Sequence, residues 1–332
     1  MKKTLLAFLV IAVCFSFISR AQGSIDGIVF GDYYYLNSHH IEDIEGQHGF
    51  VIRRIYLRYR YKINDEWSTV LRFEMNHPGD FESNDTLKPY VKDAALTYSS
   101  NSSSFSLGIV GNPAFSAYED YWGYRNVEKS PADLQKFMSS RDIGISYGYS
   151  SGGFGFRAIY GNGESNKNEI NKGKSIHALL SYGQKTGLYA EGYFNHTSKD
   201  EGEKESVVSL FLAYRQKWGR LGTMYVRKDA EKDDSDTDIS LFSAFGVFTL
   251  SENLDLLLRY DKVMDPNPKG DGISYLRMSG LNPSNLIIAG LAYKINKNIQ
   301  FIPNIEYTFY DEENGIDTDS DLIARLTFSY KF

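Results

Sequence analysis

Four arginines carry the most specific chemistry in the chain. Arg54, Arg58 and Arg60 alternate with other side chains in the segment 51–62, and Arg72 takes the matching phase of 67–76. On an extended chain, residues two apart lie roughly 6.6–7 Å apart on one face, so Arg58 and Arg60 make a short track of guanidiniums. Each offers a planar fork of donors suited to an oxyanion, and successive forks can pass an anion along. The competing arrangement pairs these arginines with inward acids, Glu74, Asp93, Glu191 or Glu306, which makes a transverse field rather than a track. A second group occupies 112–141, where Tyr118, Tyr121, Trp122 and Tyr124 accompany Arg125, Lys129, Lys136 and Arg141. Rings packed on a wall, with cations turned to an opening, would make this segment a constriction loop. An external cap or a subunit contact is the alternative.

Other chemistries are weaker. His39, His40 and His48 are close in sequence, but a metal centre needs three or four converging ligands, which proximity along the chain does not supply. No metal and no other cofactor is expected. The acid-rich runs 233–238 and 317–321 lack the glycine and distal glutamate of an EF-hand loop. They read as solvated external segments able to bridge to lipopolysaccharide through divalent cations. A hydrolase would centre on His177 with Ser146 or Ser181, yet no nucleophile motif surrounds them, and no enzymatic activity is expected. A formal charge of −6 argues against a nucleic-acid partner, which calls for a basic face.

The elements that must hold these residues are of one kind. Lys2 and Lys3 precede an apolar stretch, 5–18, and then Ser19-Arg20-Ala21, the parts of a secretory signal peptide. Residues 1–21 are therefore expected to be removed, leaving 22–332 as one barrel unit. Lys2, Lys3, Arg20 and the single cysteine, Cys14, leave with it, so 33 basic groups face 42 acidic ones, a charge of −9 with no disulfide. No other apolar run is long enough for a helix in lipid, and 42% hydrophobic content excludes disorder.

What recurs is alternation over roughly ten residues followed by a polar break. Strands are expected around Tyr33, Leu57, Leu71, Ala95, Leu107, Ile145, Phe156, Leu179, Gly192, Phe211, Met224, Phe245, Leu257, Ala289, Ile305 and Leu326. Breaks after even strands are short, as at 63–65, 184–186 and 296–298. Breaks after odd strands are longer and include 37–49, 77–89, 112–141, 162–173, 262–283 and 311–320. Sorting by parity predicts an all-β transmembrane antiparallel barrel of about 16 strands, with short periplasmic turns and long external loops. In lipid no backbone group can stay unpaired, so the sheet must close. Arg53 then falls on the lipid face near the outer rim, where a charge costs about 0–1 kcal/mol.

Sixteen strands enclose an aqueous lumen, so passive diffusion of small hydrophilic solutes is the expected function. Arg54, Arg58, Arg60 and Arg72 would favour anions, and the segment 112–141 would set the size limit. A non-selective or cation-leaning pore and a non-conducting adhesin or structural barrel are the rivals. The expected surroundings are outer-membrane lipid and lipopolysaccharide. Phe328, Tyr330 and Phe332 share a face at the C-terminus and resemble the signal read by the barrel-assembly machinery. The stretches 50–57, 91–98, 137–138 and 141–145, then Arg259-Tyr260-Asp261 and 303–307, resemble in this order motifs of the phosphate-selective porin O and P family. That resemblance implies a sixteen-stranded barrel, usually trimeric, with an arginine track and lysine clusters for phosphate or polyphosphate.

Overall fold

The computed structural model describes residues 23–332 apart from 200, 201, 233 and 234; the expected signal peptide, 1–21, lies outside the described residues. Sixteen strands are found among them: β1 (Gly23–Ser38), β2 (His48–Lys62), β3 (Trp67–Asn76), β4 (Lys88–Ser100), β5 (Ser103–Gly111), β6 (Arg141–Ser151), β7 (Phe154–Gly161), β8 (Ser175–Gly183), β9 (Gly187–Ser198), β10 (Lys204–Gln216), β11 (Gly219–Lys232), β12 (Ser235–Ser251), β13 (Leu254–Val263), β14 (Ser284–Lys294), β15 (Ile299–Tyr310) and β16 (Asp321–Lys331). Each pairs antiparallel with its neighbours, and β16 returns to β1, so the barrel is closed. Every expected strand centre lies within its strand. Alternate residues such as Leu107, Leu180 and Leu210 stand exposed on the outer surface, the apolar belt a lipid-spanning barrel requires.

Six outer connections are long: 39–47, 77–87, 112–140, 162–174, 264–283 and 311–320. The other two, β9 to β10 and β11 to β12, are short because those strands continue outwards. β12 has 17 residues. The acid-rich run expected there as a loop enters it, and Asp238 is held at 2.7 Å by Arg227 of β11. Asp321, expected in a solvated run, is instead buried at the start of β16, where His40 and Tyr310 bond it.

Arg53 does not face lipid. Phe30 pairs with Arg54 but Gly31 pairs with Ile52, which leaves Arg53 as an extra residue in β2. Such a bulge puts two successive side chains on one face, and Arg53 and Arg54 are both buried inside. It also shifts the alternation beyond it, so Val51 turns inwards opposite Asp32. Gly31 is needed there, because a β-carbon would sit 2.1 Å from the Val51 carbonyl oxygen. A second bulge follows in β4: Arg72 pairs with Asp93 but Phe73 with Val91, so Lys92 and Asp93 both reach the lumen. β2 and β4, on either side of β3, thus each deliver one inward charge more than strict alternation allows.

The opposite wall is apolar inside. Val207, Phe211, Met224, Leu241, Phe245 and Leu257 are buried beneath the 112–140 loop. That loop contains α1 (Ser116–Trp122) and α2 (Pro131–Leu134), and α1 stops at Gly123, whose φ of 73° is left-handed.

Candidate permeation site

The loop 112–140 crosses the interior rather than capping the barrel. Tyr118, Tyr121, Trp122 and Tyr124 are all buried against the wall. The Tyr118 hydroxyl meets Ser243 Oγ at 2.9 Å, and Tyr124 donates to Asp255 at 2.5 Å. Trp122 packs edge-on to Phe245, and Tyr121 to Phe211. Arg220 bonds the carbonyls of Tyr121 and Trp122, and Arg259 that of Lys129. From the far wall Arg53 donates to the Asn126 and Val127 carbonyls. The loop is therefore strapped to β11–β13 on one side and to β2 on the other.

A second loop also enters the lumen, which the sequence reading missed. In 264–283, Ile273, Tyr275, Leu276 and Met278 are buried. Asn267 donates to the Gln135 carbonyl at 3.0 Å, and Arg325 bonds the Tyr275 carbonyl. The cluster Ile273, Tyr275, Leu276 and Met278 within a Gly-, Pro- and Asp-rich connection was the available signal.

Between the charged wall and the first loop lies a cavity of ≈ 590 Å³, lined by Arg58, Arg72, Lys92 and Arg141 on the strands and by Glu119, Arg125 and Asp133 on the loop. A cavity of ≈ 390 Å³ lies beyond it, and Asp133 and Arg141 border both. Lys136, Lys199 and Lys269 line the outer cavity. They come from three separate connections, and no run in the sequence marks them as a group.

The four arginines of the expected track are not free guanidiniums. Asp26 holds both Arg58, at 2.7 Å, and Arg60. Glu74 holds Arg54 at 3.3 Å and Lys92 at 3.0 Å. Asp93 holds Arg72 at 2.6 Å and also Arg141. Each carboxylate is shared by two cations, so the patch keeps surplus positive charge. Among the described residues, six cationic side chains (Arg58, Arg72, Lys92, Arg125, Arg141, Lys331) and three anionic ones (Asp26, Glu119, Asp133) line the larger cavity. Arg54 is buried behind this surface, and Arg60 stands near the 63–66 turn. Of the other acids considered, Glu306 pairs with Arg325 at 2.7 Å, whereas Glu191 accepts from Tyr189.

On the loop, Arg125 pairs with Glu119 at 3.1 Å and Asp133 at 3.6 Å. Burial raises the Asp133 carboxyl, but Lys129 and Arg125 outweigh it and hold it below the usual range. Burial pushes the Lys129 ammonium down to about 8, with Asp133 opposing.

His177 bonds neither Ser146 nor Ser181. Its Nε2 lies 3.2 Å from Ser175 Oγ, its Nδ1 2.7 Å from the Tyr193 hydroxyl, and Ser175 donates to Asp142. In a Ser-His-Asp triad the acid sits on the ring nitrogen opposite the serine; here a tyrosine holds that nitrogen, and Asp142 lies on the serine's side, 3.5 Å from Nε2. Asn112, at the root of the loop, donates to the same tyrosine, so this network anchors the loop. At the C-terminus, Tyr330 and Phe332 are exposed on the outer surface, and Phe328 shares their side of β16. The Phe332 backbone pairs with Gly27.

No family model matches the chain, and no curated protein matches it in sequence. Solved structures do match. An anion-selective porin from Comamonas acidovorans superposes with a TM-score of 0.72 at 14% identity, covering 93% of this chain and 99% of that one. OmpT of Vibrio cholerae, also solved in a trimer form, gives 0.66 at 14% identity over 95% of this chain and 99% of its own. Salmonella typhi OmpF, in complex with daunomycin, gives 0.66 at 15% identity with the same coverage. The closed sheet, the apolar outer belt and these neighbours place the chain in the bacterial outer membrane. Its fold is that of the outer-membrane porins, a sixteen-stranded barrel narrowed by a loop from within.

Proposed function

We propose that the chain is a porin, a passive diffusion channel for small hydrophilic solutes with a preference for anions. The observation that carries this reading is the sharing of Asp26, Glu74 and Asp93, each between two cations. Surplus positive charge on a narrow, low-dielectric wall concentrates anions and repels cations, even in a chain that is acidic as a whole. Asp229, Glu231 and Asp238, at the outer strand ends, are exposed away from this wall. Arg58 and Arg72 are the track residues that border the larger cavity, and the 112–140 loop sets the size limit. Phosphate-like oxyanions suit the guanidinium forks, and Lys136, Lys199 and Lys269 form an outer lysine group of the kind the family resemblance implies. No chemical step is part of this reading. The trimer form of OmpT supports a homotrimer, and the terminal aromatic residues support recognition by the assembly machinery.

The test is the reversal potential across a KCl gradient in planar bilayers, with wild type beside Arg58→Ala/Arg72→Ala. Chloride preference that the double variant loses is the expected result, followed by block of the current by phosphate. Cation preference in wild type would remove the anion claim. A folded, heat-modifiable barrel that conducts nothing would remove the porin claim and leave the adhesin.

A further inference from the structure

The barrel closes between its first and last strands, and three potential metal ligands meet at the outer end of that seam. His39 and His40 follow β1 directly, and Asp321 opens β16. Their candidate ligand atoms all lie within 4.8 Å of one another. His39 Nδ1 is 3.8 Å from Asp321 Oδ1 and His40 Nδ1 is 2.9 Å from it. The side chains of His39 and Asp321 are sealed from solvent, and that of His40 is 10% exposed. The rings stack with centroids 4.6 Å apart.

The hydrogen bonds define what each nitrogen offers. His39 Nδ1 accepts from the Ile41 amide at 3.0 Å, so it carries a lone pair. His40 Nδ1 lies 2.9 and 3.1 Å from the two Asp321 oxygens and shares a proton with them. The Nε2 atoms of both rings are buried with no hydrogen-bond partner, a costly arrangement for two imidazoles. The Tyr310 hydroxyl donates to Asp321 Oδ2 at 2.5 Å, the kind of outer partner that fixes a ligating carboxylate. Asp271, from the loop that fills the outer lumen, lies 3.9 Å from His40 Nε2.

We propose that His39, His40 and Asp321 bind a divalent transition-metal ion of the zinc type. Two imidazoles and a carboxylate suit zinc, with water completing the shell. The ion takes the His39 Nδ1 lone pair, displacing the Ile41 amide from it, and replaces the proton between His40 and Asp321. That proton moves to His40 Nε2, where Asp271 can accept it. The bound metal therefore clamps β1 to β16 and ties the 264–283 loop to the seam. His48 takes no part, because its ring bonds the Tyr33 hydroxyl at 3.0 Å.

The test uses the full barrel, without an affinity tag, refolded in detergent and titrated with ZnCl₂ by calorimetry. One saturable site is expected, weakened at least tenfold in His40→Gln and in His39→Gln and unchanged in His48→Gln. Folding of each variant is read from its compact band on unheated gels. The temperature at which that band is lost should rise with ZnCl₂ in wild type and not in His40→Gln. Absence of saturable binding to folded wild type, or binding that survives His40→Gln, overturns the proposal. Neither readout depends on conductance, so this proposal and the porin reading stand or fall separately.

Discussion

Removing one shared carboxylate asks whether surplus wall charge governs the choice of ion. Asp93 holds Arg72 at 2.6 Å together with Arg141, and both arginines border the larger cavity. Asp93→Asn keeps the side-chain size and an acceptor oxygen while removing a full negative charge. For an ion taken about 6 Å from that charge, a little over the radius of a ≈ 590 Å³ cavity, the charge is worth ~0.7 kcal/mol in a water-like dielectric and ~0.4 kcal/mol after screening at 0.1 M salt. Chloride gains and potassium loses this amount, so the chloride-to-potassium permeability ratio should rise about 3.5-fold. At 1 M salt the screening length shrinks to about 3 Å and the gain should fall to about 1.4-fold. The assay is reversal potential under small gradients centred on each salt level, with folding checked by heat-modifiability. An unchanged ratio at low salt, or the same gain at both, would refute the electrostatic reasoning.

Three further outcomes follow from the loop and the bulge. Gly31→Val places a β-carbon against the Val51 carbonyl and should lower stability by about 1–3 kcal/mol in urea unfolding; an unmoved midpoint would mean the bulge tolerates a side chain. Trp122→Ala removes the packing on Phe245, about 3–5 kcal/mol of buried contact, and should raise single-channel conductance; unaltered conductance would mean the loop does not limit flow. Lys129 is a cation below about 8 and neutral above it, so anion preference should decline between pH 7 and pH 9 in wild type and stay flat in Lys129→Met. A decline of equal size in both proteins would assign it to another group.

The sequence was enough for the barrel itself, because strand alternation and connection length are local. The run from Leu322 to Phe332 alternates by twos with no tertiary help, and a turn such as 63–65 is short whatever it joins. The inward segment 112–140 was legible for a similar reason: aromatic rings as close together as Tyr118, Tyr121, Trp122 and Tyr124 need a surface to cover. Arg53 was misplaced because a bulge adds one residue without changing composition. The adjacent charges Arg53-Arg54 and Lys92-Asp93 were the trace it left, since strict alternation would send one of each pair into lipid.

Pairing between charges lay beyond the sequence. Asp26 meets Arg58 and Arg60 only when β1 and β2 adopt their register, and Asp93 reaches Arg141 only because β5 stands between their strands. Asp321 is more than 280 residues from His39 and His40 along the chain and stands beside them only after β16 closes on β1. Periodicity and loop length act over one strand and its turn, so the sequence determined the architecture. Charge balance in the lumen and ligand convergence at the seam depend on register, bulges and closure, and these the tertiary structure alone decided.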